Sequence, residues 1–205
     1  MRVILVLACA LTITSLQSSA KKPLNLEITP LIGYRFGGDF ETSKDETHNR
    51  IELSEEVSYG FITAWSFDKK RQGEFVISHY NTHFSHSDDF SASNTSLSIT
   101  YAHLGGAVPV AEGALPLYVT GGFGLTHIAP SEDELANETR FSMNVGLASK
   151  IPLTDHISLR LDSRIYATFF NSDSAIFCDI ETCAVYISSD MWLQSEVSAG
   201  ITYKF

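Results

Sequence analysis

Positive charge is scarce in this chain. Its 205 residues hold 14 lysines and arginines against 24 aspartates and glutamates, a formal net charge of −10. A nucleic-acid binder would normally be basic, so that class is disfavoured. Charged residues of both signs reach only 19%, below the roughly 25% of an ordinary soluble domain. Long apolar runs are missing as well. Past residue 20 none approaches the roughly 18–20 residues of a membrane helix, so a helical membrane protein is excluded. Cysteine occurs three times and proline six, too few cysteines for a disulfide-dense scaffold. With 44% hydrophobic residues the chain has enough apolar surface to fold. A globular β protein or a membrane β-barrel remains.

What is present begins with an export signal. Met1-Arg2 gives a short basic start, Val3 to Ile13 an apolar stretch, and Ser18-Ser19-Ala20 small residues for cleavage after Ala20. Residues 1–20 are therefore expected to be a signal peptide and 21–205 a single domain. Two cysteines stay in that domain, Cys178 and Cys183. In an exported protein so close a pair reads as a disulfide.

The rest alternates with period two, the signature of strands. From Leu193 to Phe205 the odd positions include Leu193, Val197, Ile201, Tyr203 and Phe205, and the even ones Gln194, Glu196, Thr202 and Lys204. The same pattern marks residues 26–37, 140–151 and 157–169. Segments at about 56–67, 73–83, 94–107 and 115–128 read as strands too. His79 and His83 fall on what should be the apolar face of 73–83, so its register is the least secure. That makes eight strands, most of ten residues or more. Soluble sheets favour about 5–6 residues, whereas a tilted strand crossing a bilayer needs about 9–11.

The connections alternate in length. Asp68–Gln72, Pro109–Ala114 and Pro152–His156 are short; Gly38–Ser54, Ser85–Ser93, Ala129–Asn137 and Asn171–Asp190 are longer and polar. Short periplasmic turns opposite long external loops are the habit of outer-membrane barrels. The chain stops on Tyr203-Lys204-Phe205, an aromatic terminus after alternating apolar residues. In these features the sequence resembles the small eight-stranded outer-membrane β-barrels, the type of the OmpA transmembrane domain, OmpX and OmpW. The resemblance covers about residues 24–205. It implies an all-β, antiparallel up-and-down transmembrane barrel in the Gram-negative outer membrane, with periplasmic termini. It also implies that Tyr203 and Phe205 serve as the signal read by the barrel-assembly machinery. The OmpA periplasmic domain has no counterpart here, so its anchoring role is not carried over.

In hydrocarbon every backbone polar group must be paired, so the sheet has to close on itself. The apolar faces then meet lipid and the polar faces fill the lumen. The expected lumen network is Glu27, Arg35, Arg160, Asp162, Arg164 and Glu196, with Glu74, Arg140, Lys150 and Lys204 on the same faces. Antiparallel counting sets Glu196 between Arg35 and Arg164. Aromatic girdles are expected from Trp65, Phe67, Phe75, Tyr203 and Phe205 at one end and Tyr34, Phe36, Phe84, Phe169 and Trp192 at the other.

Gly38–Glu56 holds seven carboxylates against Lys44 and Arg50. Its external loop suits divalent cations, though no EF-hand spacing is present. His79, His83 and His86 are spaced loosely for a metal. His156-Ile157-Ser158 has the two-residue spacing of a Ser/His pair, but beside a short periplasmic turn. No enzyme, cofactor or metal is therefore expected. The expected partners are outer-membrane lipid, lipopolysaccharide and the assembly machinery, with the chain monomeric. A structural or adhesive surface role leads. A pore for small or hydrophobic solutes and a secreted lipocalin-like binder stay open as alternatives.

Overall fold

The computed structural model describes residues 25–205 except 39, 45–46, 69–70, 86–95, 114, 132–135, 171–174, 179–182 and 187–190. Within the strands it describes backbone alone for residues 40–44, 47–52, 84–85, 175–178 and 183–186. The signal segment and Ala20 lie outside the described residues.

The strands are β1 (Leu26–Phe36), β2 (Phe40–Lys44), β3 (Thr47–Leu53), β4 (Glu56–Ser66), β5 (Gln72–Ser85), β6 (Ser96–Ala111), β7 (Leu117–Pro130), β8 (Glu138–Pro152), β9 (Ile157–Phe169), β10 (Ala175–Cys178), β11 (Cys183–Tyr186) and β12 (Met191–Lys204). Eight of them, β1, β4 to β9 and β12, pair antiparallel in a ring that closes through β1 and β12. The other four are two hairpins, β2–β3 within Gly38–Ser54 and β10–β11 within Asn171–Asp190.

Register shows how far the strands lean. A hydrogen-bonded row runs Ile32, Tyr59, His79, Thr100, His127 and Thr139 across β1, β4, β5, β6, β7 and β8. In the other direction it runs Ile32, Ala199, Leu161 and Ser149, meeting β8 ten residues further along. Such a stagger accompanies a tilt of roughly 35–45° in a barrel of this size.

Local chemistry sets the turns. Arg71 donates its backbone N–H and its Nε to the Asp68 carboxylate at 2.7 and 2.8 Å, tying the β4–β5 turn. Thr154 Oγ1 accepts from the N–H groups of His156 and Ile157 at 3.3 and 3.0 Å, holding the β8–β9 turn. Gly37 and Gly38, with φ of 75° and 101°, bend the chain from β1 toward β2.

The alternation falls as expected. Ile32, Tyr34, Leu161, Ile165, Leu193, Val197 and Ile201 are exposed on the outer wall, and Glu27, Thr29, Arg35, Arg160, Arg164, Gln194 and Glu196 are buried within. The doubtful strand 73–83 keeps its parity, with His79 and His83 outward and Ser78, Tyr80 and Thr82 inward. Two assignments are corrected. Trp192, expected in the external girdle, points inward: it is 3% exposed and donates Nε1 to the Gly38 carbonyl at 2.7 Å. An inward site near the rim gives its N–H a partner that lipid would not supply. Lys204, expected in the lumen, is exposed because it ends β12, where the wall stops.

Candidate functional site: a plugged lumen

The lumen is filled in three tiers. Nearest the short turns, Lys150 donates Nζ to Glu27 at 2.6 Å and to the Gln72 carbonyl oxygen, while Gln72 Nε2 donates to Glu27 at 3.0 Å. A cavity of about 270 Å³ opens at that mouth, and its lining includes Gln72 and Tyr118. Both residues also touch Lys150, the Tyr118 ring lying 5.6 Å from Nζ. The first tier thus floors the cavity.

The middle tier is a four-membered charge cluster. Glu74 accepts from Arg160 Nη1 at 2.7 Å and from Arg164 Nη2 at 2.9 Å. Asp162 accepts from Arg160 Nη2 and Arg164 Nε, both at 2.7 Å. Arg160 and Asp162 share the inward face of β9 with Arg164, so each guanidinium reaches a carboxylate two residues away. Glu74 ties them to β5 across the barrel. The cluster runs on to uncharged groups. Arg164 Nη1 donates to Asn144 Oδ1 at 3.0 Å, which turns the Asn144 amide nitrogen toward His103 Nδ1 at 2.7 Å. That orientation leaves His103 Nε2 to donate to Ser142 Oγ, 2.7 Å away.

The outer tier centres on Arg35. Its Nη2 donates to Glu196 and, at 2.6 Å, to Ser78 Oγ, and Ser78 in turn donates to Glu196 at 2.7 Å. The rings of Tyr166, Tyr101 and Tyr80 surround the guanidinium with centroids at 4.3, 4.6 and 5.0 Å. Cation–π contacts of this kind strengthen where water is excluded. Gln194 closes the top: Tyr101 donates its hydroxyl to Gln194 Oε1 at 2.6 Å, and Gln194 Nε2 donates to the Tyr80 hydroxyl.

Charge balances across these tiers. Four buried cations, Arg35, Lys150, Arg160 and Arg164, face four buried carboxylates, Glu27, Glu74, Asp162 and Glu196. Buried charge is tolerated when it is paired and hydrogen-bonded, and each of the eight has a partner.

The sequence-predicted residues are thus largely brought together, with one correction. Arg164 lies opposite Glu196 in the β9–β12 register, as counted. Its guanidinium nevertheless turns to Asp162 and Glu74, two carboxylates against one, while Arg35 and Ser78 occupy Glu196. Sequence reasoning put Asn144 and Gln194 on lumen faces without giving them a role, and missed Tyr80, Tyr101 and His103. The usable signal was parity, since all five sit on the inward face of their strands. Arg140 lies at the rim, 3.0 Å from Glu138. Cys178 and Cys183 stand opposite each other in the β10–β11 register, their side chains outside the described part. His79 and His83 point outward, and His86 lies outside the described residues. Among the described residues no three histidine, cysteine or acidic side chains gather as metal ligands. At the chain end the Tyr203 and Phe205 rings meet edge to face at 4.9 Å.

A search of curated proteins finds no match. Solved structures do match in fold. The crystal structure of Neisserial surface protein A, NspA, is 9% identical, with 88% of this chain and 97% of that one covered at a TM-score of 0.54. OprG from Pseudomonas aeruginosa is 12% identical over 89% and 96%, with a TM-score of 0.56. The outer membrane protein AlkL, solved in lipid bilayers, is 11% identical over 91% and 93%, with a TM-score of 0.55. At these identities the likeness is one of fold. The model of the outer membrane protein beta-barrel domain matches residues 5–205, and the chain belongs to that family.

Proposed function

We propose that this outer-membrane barrel works as an anchor with a closed interior, presenting the acidic β2–β3 hairpin and the β10–β11 hairpin outside the cell for surface contact. The observation that carries this reading is the three-tier plug. A solute path would have to part four ion-paired cations from their carboxylates within a space that side chains fill. Eight strands leave little more room than that, whereas barrels of 16–18 strands enclose an aqueous channel. In this reading the chain is monomeric, its termini face the periplasm and it performs no catalysis.

The test replaces residues 40–53 with a short Gly-Ser turn in cells that display the protein. Adhesion to surfaces and to other cells should fall while uptake of small dyes stays unchanged. Altered dye uptake with unchanged adhesion would overturn the proposal in favour of a pore.

A further inference from the structure

The lipid-facing wall carries a polar row, and on one side only. Register aligns the outward residues of neighbouring strands into rows. One row holds Phe61, Ile77, Ala102, Leu125 and Phe141, all apolar. The next outward row toward the external hairpins holds Tyr59, His79, Thr100, His127 and Thr139, all capable of hydrogen bonding. The change thus falls between the same two rows on five consecutive strands. The opposite sector keeps its apolar face to the external end, with Phe169, Met191 and Leu193.

The polar row is built from two imidazole–hydroxyl pairs. His79 Nδ1 lies 2.9 Å from Thr100 Oγ1, and His127 Nδ1 lies 2.9 Å from Thr139 Oγ1. Each ring commits Nδ1 to the wall, and among the described residues its Nε2 has no partner. The two histidines flank Thr100 in the row, two strand spacings apart, or about 10 Å. Among the described residues, the outward face of β5 to β8 beyond this row carries no lysine or arginine. Beyond the row on β5, His83 Nδ1 lies 4.0 Å from the Glu56 carboxylate.

We infer that this row is a docking shelf for the phosphorylated headgroup of an outer-leaflet lipid, the lipid A part of lipopolysaccharide. It borders the unbroken apolar row on the side of the barrel that carries the long hairpins, the level at which headgroups are met. Two imidazole Nε2 groups offer donors to phosphate oxygens, with threonine hydroxyls between them. Two donors so far apart suit a headgroup with two phosphates better than one with a single phosphate. The inference concerns the wall, so it stands apart from the surface role proposed for the hairpins.

The test uses the full chain, labelled with ¹⁵N-histidine, in phosphatidylcholine bicelles. Bisphosphorylated lipid A, dephosphorylated lipid A and phosphatidylglycerol are titrated in separate arms. Ring resonances of His79 and His127 should move saturably with bisphosphorylated lipid A alone, while His103 in the lumen and His156 at the opposite end stay fixed. The H79Q/H127Q double variant, shown to be folded by its heat-dependent gel mobility, should bind about tenfold more weakly. Unchanged binding by that variant, an equal response to phosphatidylglycerol or dephosphorylated lipid A, or His156 moving in step would each overturn the inference.

Discussion

Arg35 on the first barrel strand and Glu196 on the last are register partners, and their side chains pair inside the seam that closes the barrel. Both are buried, so neither can turn to water if the other is removed. Losing one partner of a buried pair costs about 3–5 kcal/mol, and removing both costs less. Arg35→Met and Glu196→Met should each destabilise the barrel by about that amount, with the double variant recovering part of it. Urea unfolding in phospholipid vesicles, read by gel mobility without heating, measures the series. A double variant as unstable as the sum of the singles would separate the two residues.

Glu74 and Asp162 hold two guanidiniums between them. In planar bilayers the unaltered, refolded protein should show no steady ohmic channels of nanosiemens size. E74A/D162A leaves Arg160 and Arg164 without these carboxylates in the middle tier. It should fold less stably, by several kcal/mol, and show more frequent brief openings. Large, steady currents from the unaltered protein would mean that the plug does not seal the lumen.

Gly37 and Gly38 both have positive φ, but their surroundings differ. A Cβ on Gly37 would meet nothing within 4 Å, while one on Gly38 would fall 2.7 Å from Gln194 Nε2 and 2.9 Å from Trp192 Nε1. G37A should therefore cost about 1 kcal/mol for backbone strain. G38A should cost about 2–3 kcal/mol, because it also displaces the lumen cap. Urea midpoints of the two variants decide the order, and equal values would show that the cap yields freely.

Cys178 and Cys183 face each other across the β10–β11 hairpin. The unreduced mature protein should expose no free thiol to a maleimide reagent under denaturing conditions. The C178S/C183S variant should leave barrel stability unchanged while making the hairpin more sensitive to protease. A crosslink closing so short a loop is worth roughly 2 kcal/mol to the segment it closes. Two reactive thiols in the unreduced protein would remove the bridge.

Strand parity and barrel closure were legible because lipid on one side and packed charge on the other write a period of two into every strand. Register was legible at the seam from antiparallel counting of the charged inward positions: Glu196 was placed between Arg35 and Arg164, and the backbone agrees. Which arginine takes the carboxylate was not. That choice depends on side-chain reach and on Asp162 lying two residues from Arg164, a competition that a strand pattern does not express. Trp192 was misplaced for a related reason. An aromatic near a strand end suits the headgroup level whichever way it points, and its carbonyl partner, Gly38, is remote in sequence. Tyr80 and Tyr101 were missed because they come from two other strands and meet Tyr166 around Arg35 only when the ring closes.

That closure also has a consequence for any sheet left open at the seam. The first and last strands of the barrel meet at this seam alone, where Thr29 meets Thr202 at 2.8 Å and the Phe205 N–H reaches the Leu26 carbonyl at 3.0 Å. In a sheet open there, Arg35 and Glu196 lie on opposite free edges, each without the other. An open intermediate therefore carries two stranded charges and two unsatisfied edges together, and all four are relieved in one event. Assembly should be sharply cooperative at its end, with few half-closed molecules accumulating.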